Sequence, residues 1–66
     1  MSKTEVLRLA AETEESVLSL IDAMQWFYNN EAESWQDGDA GSQWRNDLDH
    51  VENALEAIRN VIESMP

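Results

Sequence analysis

From Trp44 to Met65 the large apolar residues Trp44, Leu48, Val51, Leu55, Ile58, Ile62 and Met65 follow one another at steps of four and three without a miss. An α-helix, with 3.6 residues per turn, gathers such positions onto one side, so this half of the chain reads as a helix with a continuous apolar seam. Ala54 and Val61 widen the seam into the broader stripe of a bundle helix. Away from it stand Arg45, Asp49, Glu52, Glu56, Arg59 and Glu63. Arg45 with Asp49, and Arg59 with Glu63, are opposite charges four apart, each expected to add about 0.2–0.5 kcal/mol. Ser42, following Gly41, has the chemistry of an N-cap, and Pro66 ends the chain.

The first half carries the same period with a wider face. Val6, Ala10, Thr13, Val17, Leu20, Met24 and Phe27 make one seam, and Leu7, Ala11, Leu18, Ile21 and Tyr28 make a second beside it. Such a double stripe suits a helix with neighbours on two sides. Ser2 and Glu5 have capping-box spacing, with Thr4 as the alternative cap. The Asn29-Asn30 pair is a weak point by propensity, but Glu31-Ala32-Glu33-Ser34-Trp35 can carry the helix on to about residue 35. The segment 36–41 then reads as a turn, because Asp37-Gly38-Asp39-Ala40-Gly41-Ser42 is rich in turn residues.

The expected fold is therefore all-α: an antiparallel helical hairpin with a helix over about 3–35, a turn at 36–41 and a helix over about 42–65. The 66 residues form a single domain. A chain this short buries little surface and commonly needs a disulfide, a metal or a second chain. It has no cysteine. Pairing of two hairpins into a homodimeric four-helix bundle is the expected way to close the core. The self-association seam would comprise Val17, Leu20, Ile21, Met24, Phe27, Trp44, Leu48, Val51, Leu55, Ile58 and Ile62.

Fourteen acids oppose four bases, for a formal net charge of −10. Direct nucleic-acid binding is excluded by the want of a Lys/Arg cluster, and an anionic membrane surface is disfavoured for the same reason. No apolar run reaches the roughly 18–20 residues of a membrane span, and the N-terminus lacks the pattern of a signal peptide. A cytoplasmic protein is the expectation. High charge also favours disorder, but 42% hydrophobic residues in a clear helical period argue for a fold.

Catalysis has little to draw on. His50 is the only histidine, and no glycine-rich elbow or phosphate loop surrounds any of the serines. Asp47 and His50 are spaced to share a metal, yet bundle metal sites need inward-facing acids from several helices. Asp37-Gly38-Asp39 resembles the start of a calcium loop, but the twelfth position holds Leu48 in place of a bidentate Glu. No enzyme activity, metal or cofactor is expected.

What remains is recognition of another protein. Glu31, Glu33, Asp37 and Asp39 crowd nine residues without a base, and Asp47, Asp49, Glu52 and Glu56 extend the charge along the second helix. Trp35 reads either as a cap folded over the end of the bundle or as an exposed anchor; as an anchor it would join these acids in a docking patch for a basic surface. Helical carboxylates four apart stand about 5–6 Å from each other, comparable to phosphates along a strand, which would let the patch mimic nucleic acid. Trp44 and Phe27 lie on seams and read as core; Trp26 falls between the seams and the polar side. In size and composition the chain is similar to the small acidic inhibitors encoded by phages and mobile elements, an analogy of type that would put it in a host cytoplasm. The leading expectation is an inhibitor or modulator of a basic, nucleic-acid-handling protein. The alternative is an assembly protein whose apolar helix faces meet another helical protein.

Overall fold

A computed structural model describes residues 1–65; Pro66, which ends the chain, lies outside the described residues. Three helices follow in order: α1 over Lys3–Asn29, α2 over Glu33–Asp37 and α3 over Asp39–Ser64. The two long helices pack as an antiparallel hairpin, with Trp44 bonded to Met24 near the corner and Arg59 paired with Glu14 farther out. At 49 × 16 × 15 Å the molecule is a rod. Its radius of gyration is 15.3 Å, against about 11 Å for a compact chain of this length. No helix among the described residues is long and apolar enough to cross a membrane.

Ser2 caps α1 as its spacing implies, its hydroxyl oxygen accepting from the Glu5 N–H at 3.2 Å. The far end of α1 differs from expectation. The helix stops at Asn29 instead of continuing to Trp35, and Ala32 adopts an extended backbone before α2 begins. Side chains give a second donor to the last carbonyls of α1, which also accept the backbone N–H groups of Asn30 and Glu31. Asn30 Nδ2 donates to the Trp26 carbonyl at 2.7 Å, and Gln36 Nε2 donates to the Tyr28 and Glu31 carbonyls at 2.7 and 3.1 Å. The break therefore depends on a residue eight positions beyond the bonded carbonyl.

The expected turn at 36–41 is also shorter than read. Gly38, extended at ψ −174°, ends α2 and starts α3, and Asp39 to Ser42 are already helical. Ser42 is thus a helical residue, not the N-cap; its N–H donates to the Gly38 carbonyl at 3.0 Å. As a result α1 and α3 are nearly equal in length, at 27 and 26 residues.

Packing between α1 and α3 is shallow. Among the described residues Ile21 and Leu55 are the only buried large side chains, each 7% exposed, and no side chain is buried completely. The other seam residues Val17, Met24, Trp44, Leu48, Val51, Ile58 and Ile62 are half-buried, while Leu20 and Phe27 are exposed. One hairpin covers the crest of each seam and leaves its flank open.

Candidate interaction surfaces

The corner is built around aromatic rings. Phe27 and Trp44 lie with centroids 4.7 Å apart, and Trp35 meets Phe27, Trp44 and Tyr28 edge-on at 5.7, 6.1 and 6.1 Å. Offset and edge-to-face contacts suit the ring quadrupoles. The Trp44 indole N–H donates to the Met24 carbonyl at 2.9 Å, which ties α3 to the middle of α1's last turns. Of the two readings the sequence left open for Trp35, a cap folded over the bundle end and an exposed anchor beside the acids, the structure shows the cap: the ring is half-buried in this cluster at the end of the hairpin. The exposed tryptophan is Trp26, at 67%.

Gly41 lets α2 lie this close to α3. It is buried, and a Cβ there would stand 2.5 Å from the Trp35 carbonyl oxygen and nearer still to that of Gln36. Only a residue without a side chain fits between two backbones at that approach. Arg45 closes the corner from outside. Its guanidinium donates to the Tyr28 hydroxyl and the Gln36 carbonyl and lies over the Tyr28 ring at 5.7 Å. The pair of Arg45 with Asp49 expected from spacing does not form, because these nonlocal acceptors take the guanidinium. Arg59 likewise turns to Glu14 across the hairpin, at 3.6 Å, and not to Glu63.

The acids do not form one patch. Glu33 and Asp39 stand in the first turns of α2 and α3, where the positive end of each helix dipole favours a carboxylate. Glu31 is half-buried at the end of α1, and Asp37 is exposed at the end of α2. Asp49, Glu52 and Glu56 are exposed along one side of α3 at steps of three and four. Asp47 belongs elsewhere: it accepts from Gln43 Nε2 at 2.9 Å and begins the column Asp47, Val51, Ala54, Ile58, Val61. His50 is exposed, and among the described residues no three of His, Cys, Asp and Glu come close enough to hold a metal ion. Among the described residues only Glu12 and Glu14 of the fourteen acids make an ion pair.

The larger unspent surface is apolar. Leu9, Leu20 and Phe27 on α1 and Val61 on α3 are 43%, 48%, 40% and 51% exposed. An open trough along α1 is lined by Leu9, Glu12, Thr13, Ser16, Val17 and Leu20, and a second, between the helices, by Ala10, Thr13, Ala57, Ile58 and Val61. Thr13 borders both, so the two troughs form one apolar face spanning α1 and α3. Leu9 and Val61 lie outside the seam residues assigned to self-association from the sequence. Their positions at the edge of each stripe were the available signal. No family model matches the chain, and no curated protein or solved structure shows significant similarity to it.

Proposed function

We propose that this chain is a protein-binding module that pairs as a homodimeric four-helix bundle and uses its acidic exterior to engage a basic, nucleic-acid-handling protein, inhibiting or modulating it in the cytoplasm. The observation that carries this reading is the separation of two unspent surfaces on one rod. An apolar face lies open along Leu9, Leu20 and Val61, and twelve of the fourteen acids have no ion-pair partner among the described residues. Burial of the first surface supplies the core that the hairpin lacks; the second attracts and steers positive charge.

Charge reversal and salt test the acidic half of this reading. Asp49→Lys, Glu52→Lys and Glu56→Lys together are the cleaner set, since Glu33 and Asp39 also serve helix starts. Capture of basic proteins by the parent chain should fall steeply from about 50 to about 500 mM salt, and the triple variant should capture little at either. Capture indifferent to both salt and charge reversal would overturn the electrostatic reading. The exposed apolar face favours a second reading, an assembly role in which another helical protein covers that face. A chain that is monomeric alone and dimerises only with such a protein would favour it.

A further inference from the structure

We infer that α2 is a latch: the corner opens by straightening α1 through Trp35, and the Trp35 ring then leaves the aromatic cluster for the surface. The latch concerns the corner alone and does not rest on the function proposed above. The break between α1 and α2 is concentrated at one residue. Asn30 already lies in the helical region, and Ala32 combines a helical φ of −60° with an extended ψ of 147°. Rotation about that ψ is the main step between break and helix, and alanine is the best helix former. What holds the break lies farther along the chain. Gln36 Nε2 reaches back to the Tyr28 and Glu31 carbonyls, Trp35 rests edge-on against Phe27, Tyr28 and Trp44, and Arg45 donates to the Gln36 carbonyl. Against these contacts, α2 is five residues long, has no buried residue and starts without a side-chain cap; α3 also starts without one.

The open form keeps the hairpin. The contact of Phe27 with Trp44 and the bond from Trp44 to the Met24 carbonyl involve no residue of α2, so they join α1 to α3 in either form. With Met24 and Trp44 side by side, a straight α1 carries Trp35 about 16 Å past them, out of reach of the Trp44 ring. The chain must then return to α3. From Trp35 to Ser42 the span is about 17 Å, made of about 14 Å along the axes and about 10 Å across them. Seven residue steps reach about 23 Å, so the return closes. To Asp39, where α3 now begins, four steps reach about 13 Å against a span of about 13 Å, which leaves no slack. Opening therefore unwinds the first turn of α3, Asp39-Ala40-Gly41, and puts Ser42 at the N-cap position that its hydroxyl suits. Residues 30–32 gain helix and residues 36–41 lose it. Trp35 then stands one turn beyond Glu31 on the same side of α1, and the corner presents an indole among acids instead of being capped by it.

The test reads the backbone of the full chain residue by residue, by nuclear magnetic resonance. Gly41→Ala sets a methyl group against the Trp35 and Gln36 carbonyls in the closed form; in the open form residue 41 lies in the turn, away from both. In this variant the Cα shifts of residues 30–32 should move to helical values and those of residues 36–41 to coil values. The rest of α1 and the stretch of α3 from Trp44 onward should keep their shifts, and the Trp35 ring protons should lose the ring-current shifts of their aromatic neighbours. Gln36→Ala removes the two bonds across the break without adding bulk, and should move the same resonances in the same direction by a smaller amount. Movement of residues 30–32 toward coil in either variant, or a parent-like corner in both, overturns the latch. A Gly41→Ala chain that unfolds as a whole overturns it too, because the open form has room for the added methyl group.

Discussion

The corner and the open end of the hairpin are built from the same two helices but held in different ways. At the corner, four aromatic rings interlock, Gln36 and Asn30 cap α1, Arg45 bridges to Tyr28 and Gln36, and Gly41 admits α2 against α3. Toward the open end, the one side-chain polar link between α1 and α3 among the described residues is Arg59 with Glu14, and the apolar side chains flanking it, Leu9 and Val61, face outward. The corner sets the direction and spacing of the helices by itself. The open end only continues them, and its apolar surface stays exposed. Chain reversal is therefore built by the corner's own contacts, while the open end leaves apolar side chains uncovered.

The largest effect should come from removing the ring that joins both sides of the corner. Trp44→Ala deletes the contacts with Phe27 and Trp35 and the bond to the Met24 carbonyl. A loss of about 3–5 kcal/mol is expected from large-to-small aromatic substitution, which exceeds what a chain with two buried large side chains can spare. The variant should lack a cooperative thermal transition by circular dichroism. An unfolding midpoint within a few degrees of the parent, at equal concentration, would show that the corner does not hold the hairpin.

Gly41→Ala tests the corner through backbone approach. In an open helix this change is favourable by about 1 kcal/mol, because alanine has the higher propensity. Here the added methyl group meets the carbonyl oxygens of Trp35 and Gln36, which belong to backbone and cannot rotate away. The sign should reverse, with a loss of about 1–3 kcal/mol typical of overpacking. Denaturant midpoints of the two chains decide the sign directly. A gain in stability would mean that α2 can lift off α3 at no cost, and the corner would then be looser than its contacts imply.

The two long helices and their seams were legible in the sequence because they follow from local periodicity: Leu48, Leu55 and Ile62 repeat as a helix demands, and Ser2 reaches only three residues to cap. The corner was not legible, because its determinants act at a distance. Gln36 caps a carbonyl eight residues back, and Arg45 leaves its neighbour Asp49 for Tyr28, seventeen residues away; only the turn of Trp35 into the ring cluster was among the readings the sequence offered. Propensity alone continues α1 through Glu31 to Trp35; the break is stabilised by partners that only the folded corner supplies. The acidic patch was half legible. Asp49, Glu52 and Glu56 share a side of α3, but Asp47 sits with the apolar column, and Glu33 and Asp39 have helix starts to serve.

The smallest effect is expected at the open end, and there a small value is the informative one. Arg59 and Glu14 are 3.6 Å apart with side chains 48% and 30% exposed, so water screens the pair. Exposed pairs of this kind contribute about 0–1 kcal/mol, and Arg59→Gln should cost no more than that. Whatever it costs should vanish in high salt, since the contribution is Coulombic. The loss of one base also takes the net charge from −10 to −11, which adds slightly to repulsion within the open half and disappears under the same condition. Measured by denaturant unfolding at low and high salt, a loss above about 2 kcal/mol that persists in high salt cannot arise from an exposed pair. It would place Arg59 in a desolvated contact, and the open end would then be held as firmly as the corner.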